Sequence, residues 1–238
     1  MIPARRPDGR WAGHPDYVPT MVLHYPRGVA VVAVFLSALA GFVDAMGFIT
    51  LGGYFVSFMS GNSTKLAVSL GEGLVGTALT GAGIVVLFVI GVMAGSFTGR
   101  TAGRSHRQAV LTLVAVLLAL AATAHLVGGT PVAIALMVLA MGAENATFER
   151  EGEVSISLTY MTGTLVKMGQ RLVTALTGGE QWGWVRHFLL WAAMVIGAAL
   201  GAFAHNLLGL NALWAAASWA AALAVVLARM PPPRPARG

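Results

Sequence analysis

Apolar residues run along this chain in eight long blocks, at about 28–50, 54–71, 75–98, 109–127, 131–148, 156–177, 187–208 and 210–229. Polar residues are confined largely to the joints between blocks and to the two ends. Six blocks are long and clean enough to cross a hydrocarbon core as helices of about 20 residues. The other two are broken. The block at 54–71 is interrupted by Ser60-Gly61-Asn62-Ser63-Thr64-Lys65, and the block at 156–177 by Thr162-Gly163-Thr164 followed by Lys167, Gln170 and Arg171. Residues 1–26 mix arginines with prolines and read as a tail. The 28–50 block is too long for the apolar stretch of a cleavable signal and lacks its small-residue exit, so it reads as a first span. The end of the chain, 231–238, is Pro-rich and stops the last helix.

Composition agrees and removes alternatives. Of 238 residues, 57% are apolar before Gly is counted and 10% are charged, against about 25% charged in soluble domains. Such a chain cannot clothe itself in water-facing side chains, and eight blocks leave no room for a soluble catalytic domain. The absence of Cys excludes disulfides, thiolate nucleophiles and Cys-based metal or redox sites.

The net charge of +6 resembles a nucleic-acid signal until the basic residues are placed. Lys65, Lys167 and Arg171 lie in the broken blocks; the other twelve flank them, at 5, 6, 10, 27, 100, 104, 107, 150, 186, 229, 234 and 237. If six blocks span and the broken ones enter and leave on one side, all twelve share one face, which the positive-inside rule makes cytoplasmic. Both termini are then cytoplasmic. The basic residues are orientation signals, and no nucleic-acid partner is expected.

The chain also repeats itself. Leu36-x-x-Leu39-Ala40-x-x-x-Asp44 aligns with Leu136-x-x-Leu139-Ala140-x-x-x-Glu144 at an offset of 100, and Met59-Ser60-Gly61-x-x-x-Lys65 with Met161-Thr162-Gly163-x-x-x-Lys167 at 102. Glycines every four residues follow in both halves, Gly91, Gly95 and Gly99 in one, Gly197 and Gly201 in the other. Each half therefore reads as span, broken segment, Gly-faced span, span. The units are 27–130 and 131–230. With three spans each they insert in opposite senses, as in transporters whose site lies near the midplane between inverted repeats. The expected fold is all-α and integral to the membrane, with six spans, two broken or re-entrant segments and a 3+3 inverted repeat. The tips of the broken segments could then meet.

Candidate chemistry gathers there. Asp44 and Glu144 sit inside apolar helices, where a carboxylate costs on the order of 2.5–3.5 kcal/mol. They read either as ion- or proton-coupling groups or as interhelical hydrogen-bonding groups. Ser60 or Asn62 could cap a short helix whose free N–H groups, with Lys65 one turn later, would suit an anion. Lys65 and Lys167 could equally neutralise Asp44 and Glu144. The candidate substrate- or ion-binding set is Asp44, Ser60, Gly61, Asn62, Ser63, Lys65, Glu144, Thr162, Gly163, Thr164 and Lys167. The glycines permit close helix approach within one chain or between two copies, so a homo-oligomer fits as well as a monomer.

Enzyme and metal signals are weak. His125, His187 and His205 are not at metal-ligand spacing, and neither a metal nor a cofactor is expected. Phe58-Met59-Ser60-Gly61 is one glycine short of an intramembrane serine-protease motif, with His205 as the conceivable base. The sequons at Asn62 and Asn145 lie at membrane depth and are discounted.

The stretches Ala40-Gly41-Phe42-Val43-Asp44-Ala45-Met46-Gly47-Phe48 and Phe55-Val56-Ser57-Phe58-Met59-Ser60-Gly61-Asn62-Ser63 resemble the signature of the YoaK-like bacterial membrane proteins, the DUF1275 or UPF0700 group. The resemblance extends over about 29–229 and implies a bacterial inner-membrane protein. It carries no substrate and no residue roles. The functional expectation is a small-solute transporter or channel, anions included, working in the lipid bilayer. The alternatives are a non-transporting scaffold or assembly factor and, third, an intramembrane hydrolase. In this Cys-free chain, Ser105→Cys and Gly129→Cys should label from opposite faces; labelling of position 105 from outside would overturn the six-span expectation.

Overall fold

The computed structural model describes residues 27–150, 153–154 and 160–229. The tails expected at 1–26 and 231–238 lie outside the described residues. The helices are α1 (Arg27–Thr50), α2 (Met59–Gly71), α3 (Val75–Ala102), α4 (His106–Leu126), α5 (Thr130–Glu144), α6 (Met161–Leu176), α7 (Val185–Leu208) and α8 (Leu213–Arg229). The 3-10 turns Gly103–Ser105, Asn145–Phe148 and Gly209–Ala212 lie between them, and strands β1 (Glu149–Arg150) and β2 (Glu153–Val154) form a small antiparallel hairpin.

Helix ends follow local chemistry. Gly103 (φ 53) and Gly209 (φ 58) take left-handed conformations that a side chain resists, so α3 and α7 stop there. Pro131, in the first turn of α5, sits where its missing N–H is harmless. The two broken blocks become the short helices α2 and α6, of 13 and 16 residues. At about 1.5 Å per residue α2 falls well short of a bilayer's ~30 Å hydrocarbon thickness.

Among the described residues, four continuous helical runs are long and apolar enough to cross a membrane. Two of them, Val75–Leu126 and Val185–Arg229, hold 52 and 45 residues. Each is over twice the ~20 residues of a single crossing, and each is divided by its 3-10 turn into α3 and α4 or α7 and α8.

Packing partners are exchanged between the two halves. The main partner of α1 is α7, and that of α3 is α5; α4 lies against α5 and α8. Glycine makes this possible. A Cβ on Gly197 would strike the backbone carbonyl of Ala38, one on Gly201 that of Phe42, and one on Gly41 that of Met194. The α5–α3 pair repeats the scheme, with Gly91 on Leu139, Gly95 on Ala143 and Gly142 on Phe88. The helices touch backbone to backbone, so many weak dispersion contacts form where hydrophobicity gives no drive between lipid-solvated helices.

These contacts also set the register between the halves. Ala38 and Leu139, Gly41 and Gly142, Phe42 and Ala143 each stand 101 apart, while Phe88 and Met194, Gly91 and Gly197, Gly95 and Gly201 each stand 106 apart. The alignment of Asp44 with Glu144 at 100 is therefore one residue out. By packing, Asp44 corresponds to Asn145 and Glu144 to Val43. Repeated leucines and alanines drew the sequence alignment, but backbone approach at glycine decides which residues face the partner helix.

Large side chains point the other way. Val86, Ile90, Met93 and Phe97 on α3, and Val195, Ile196, Leu200 and Phe203 on α7, are exposed. An apolar exterior over a small-residue interior is what a lipid-solvated bundle requires. The buried core lies mainly between α1, α4, α5 and α8.

Alanine at Gly91 or Gly197 should destabilise the detergent-solubilised protein by about 1–3 kcal/mol through overpacking. At Gly83 an added methyl group would meet nothing within 4 Å, so alanine should be accepted there at no cost. Thermal unfolding of the three variants checks both expectations.

Candidate functional site

At the end of α1 the chain reverses. Gly52 (φ 61) and Gly53 (φ 100) make the turn, and the Gly53 N–H donates to the Phe48 carbonyl at 2.9 Å. The next residues return alongside α1. The N–H groups of Val56 and Ser57 donate to Asp44 Oδ1 at 2.7 and 2.8 Å. Asp44 is therefore reached from its own chain, about a turn and a half before the end of α1. α2 then starts at Met59 and runs back, because Lys65 Nζ lies 3.3 and 3.2 Å from the carbonyl oxygens of Gly52 and Gly53. Lys65 also stands 3.9 Å over the Tyr54 ring, a cation–π contact. The Tyr54 hydroxyl donates to the Thr77 carbonyl at 2.7 Å, tying the loop to α3.

Asn62 closes the loop from within. Its Oδ1 accepts the Phe55 N–H at 2.9 Å and its Nδ2 donates to the Phe55 carbonyl at 2.7 Å. It is fully buried, and both halves of its amide are used. Gly61 lies under the Phe58 ring, where a Cβ would come within 2.6 Å of Cδ1. Neither Ser60 nor Asn62 caps α2: its N-cap is Phe58, with no side-chain cap bond. Ser60, Ser63 and Thr64 are exposed; the Ser63 and Thr64 hydroxyls bond back to the carbonyls of Met59 and Ser60 on their own helix.

Among the described residues, the second broken segment repeats part of this outline. Gly163 lies against the Tyr160 ring as Gly61 lies against Phe58. Thr164 is buried and its hydroxyl donates to the Tyr160 carbonyl at 3.3 Å. Thr162 and Lys167 are exposed, and among the described residues Lys167 makes no hydrogen bond or ion pair. α6 packs on α7 and α2 on α3, and the two broken segments are not packing partners. The expected meeting of their tips is thus not observed: each tip is held against the long helix that follows it.

The expected pairing of lysines with carboxylates also fails. Among the described residues the ion pairs are Arg100–Glu149 at 2.9 Å and Arg171–Glu180 at 3.7 Å. Lys65 finds carbonyls and a ring close at hand in its own loop, and Asp44 is satisfied by backbone N–H groups. Glu144 is different. It is fully buried, and neither carboxyl oxygen has a hydrogen-bond partner among the described residues; the same holds for the hydroxyl of Thr147.

Several contributors have no sequence signal. Ser96 and Arg100 on α3 both bond Glu149, the hydroxyl to Oε2 and the guanidinium to Oε1. The Ser96 hydroxyl first, and Arg100 after it, hold the Glu149 carboxyl below the usual glutamate range. His106 Nε2 lies 2.8 Å from the Ala146 carbonyl, and its ring fills the space beside Gly99. These partners are 40 to 53 residues apart in the chain. Thr147 alone was findable, a hydroxyl between Ala146 and Phe148 three residues beyond Glu144.

His205 Nε2, the conceivable base of the hydrolase alternative, lies 3.2 Å from the Thr50 hydroxyl. No group of three His, Asp or Glu that could hold a metal exists among the described residues. A groove of about 550 Å³ between α4 and α8, lined by Thr112, Ala119, Trp214, Ala221 and Arg229 among others, contains none of the candidate residues.

The model of the family described as "Protein of unknown function (DUF1275)" matches residues 32–226. A UPF0700 transmembrane protein of Rhizobium meliloti (strain 1021) is 37% identical over 187 residues, 79% of this chain and 80% of that protein. The UPF0700 transmembrane protein YoaK of Bacillus subtilis (strain 168) is 28% identical over 140 residues, 56% of this chain and 62% of YoaK. No solved structure matches the chain with significance.

Replacing Asp44 by alanine leaves two buried N–H groups unpaired and should cost on the order of 3 kcal/mol. Asp44→Asn keeps an acceptor oxygen and should cost less. An unchanged melting temperature in Asp44→Ala would show that the carboxylate is not the anchor of the loop.

Proposed function

This chain belongs to the DUF1275 family of multi-pass membrane proteins, and on that premise we propose that it is a small-solute transporter or channel built as two inverted halves. Six segments cross the bilayer, α1, α3, α4, α5, α7 and α8, and α2 and α6 are re-entrant from opposite faces. The bilayer is that of the bacterial inner membrane, with both termini cytoplasmic. The observation that carries the reading is the matched backbone approach of α7 to α1 and of α3 to α5. Two similar halves that exchange partners through glycine faces form a pair of like interfaces, and rocking of one half against the other needs such a pair. The re-entrant segments form the mouths of the pathway on their own sides. Lys167, exposed and without a hydrogen bond or ion pair among the described residues, favours an anionic solute at the cytoplasmic mouth.

A second reading has its own observation. Asp44, Asn62 and Lys65 all bind the backbone of one loop, which supports a non-transporting membrane scaffold whose polar residues lock a compact bundle. The two readings separate in proteoliposomes. The transporter reading expects uptake of chloride, nitrate, phosphate or a small carboxylate, lowered several-fold by Lys167→Gln at unchanged melting temperature. Absence of flux for all of these, with Lys65→Ala merely less stable, would favour the scaffold.

A further inference from the structure

The two halves match in packing, and at one place they differ in chemistry. At the offset of 101 set by the glycine contacts, Glu144 stands where the first half has Val43, and Thr147 where it has Met46. All four side chains are fully buried. Helix packing at this depth is therefore satisfied by apolar residues, and the second half places a carboxyl and a hydroxyl there instead. The two are three residues apart across the start of the 3-10 turn Asn145–Phe148. Residues at that spacing lie on one side of a helix or 3-10 turn. None of the three oxygens has a hydrogen-bond partner among the described residues.

The charged and titratable groups on the surrounding elements are already engaged or remote. On α3, Arg100 is paired with Glu149, which follows the 3-10 turn. On α4, His106 holds the Ala146 carbonyl, Arg107 lies 5.5 Å over the Phe148 ring, and His125 is at the far end beside Thr130. On α1, Asp44 holds Val56 and Ser57. No ion pair to Glu144 exists among the described residues. A carboxyl in so dry a place needs a positive charge brought to it.

We propose that Glu144 and Thr147 form a binding site for a monovalent cation, a proton or sodium, that couples to solute movement. The site deepens the transporter reading and, as a coupling site, rests on it. It is occluded in the described conformation and lies at the cytoplasmic end of α5, running into the 3-10 turn. It has no counterpart in the first half, so coupling is confined to one side of an otherwise matched pair.

Cation occupancy is tested without the solute, on the full chain in nanodiscs, by thermal unfolding in sodium chloride and in choline chloride at equal ionic strength between pH 6 and pH 9. A ligand that binds only the folded state raises its melting temperature, here by about 5 °C near saturation. Sodium binding raises the melting temperature over choline. Proton binding lowers it as pH rises, with sodium indifferent. Either response should vanish in Glu144→Gln and shrink in Thr147→Val. The double variant Glu144→Val/Thr147→Met, which copies the first half, should fold and respond to neither. A wild-type melting temperature flat in both salts across the range, or a response unchanged in Glu144→Gln, overturns the site. Loss of the flux expected above, with the cation response intact, removes the transport reading and leaves the site standing.

Discussion

The approach of helix backbones at six glycines organises the rest of this molecule. Lipid tails solvate a leucine as well as another leucine does, so apolar side chains give the helices no reason to choose partners. Gly41, Gly197 and Gly201 bring α1 and α7 together so closely that a methyl group would enter a carbonyl oxygen, and Gly91, Gly95 and Gly142 do the same for α5 and α3. Once those pairs form, α4 and α8 fall into the middle, and the large side chains of α3 and α7 are left on the outside. Sites where a single methyl group is excluded are where the partner choice is made.

Polar residues inside the bundle then divide by what they hold. Asp44, Asn62 and Lys65 serve one reversal of the chain, taking N–H groups, an amide pair and carbonyls that have no helical partner between Thr50 and Met59. Irregular backbone at membrane depth survives only if such groups are satisfied within the protein. Of the second reversal, the described residues include buried Thr164, the hairpin of β1 and β2, and an exposed Lys167. Where both are described, the halves share an outline, with Gly61 against Phe58 and Gly163 against Tyr160.

Glu144 and Thr147 stand outside both schemes. Neither holds a loop nor closes a glycine contact, and their counterparts Val43 and Met46 fill the same depth without polar atoms. Buried polar groups are ordinarily bonded because leaving them unmade is costly. An exception at a position where packing is satisfied by valine points to a ligand.

The sequence by itself determined that the chain belongs in a membrane, where its helices begin and end to within a few residues, and which two segments are broken. Those properties follow from runs of apolar residues, from glycines and prolines at the joints, and from twelve basic residues at the flanks, all local along the chain. It also marked Gly91, Gly95, Gly197 and Gly201 through their four-residue spacing, but not Gly41 or Gly142. It did not determine which helix each glycine meets, the one-residue register that separates Asp44 from Glu144, or the partners of Lys65 and Glu149. Those depend on bonds between residues 12 to 53 positions apart, and on steric exclusion of one backbone atom by another much farther along the chain, as Ala38 by Gly197. An alignment of similar letters cannot sense a carbonyl at van der Waals contact; only the packed helices decide it.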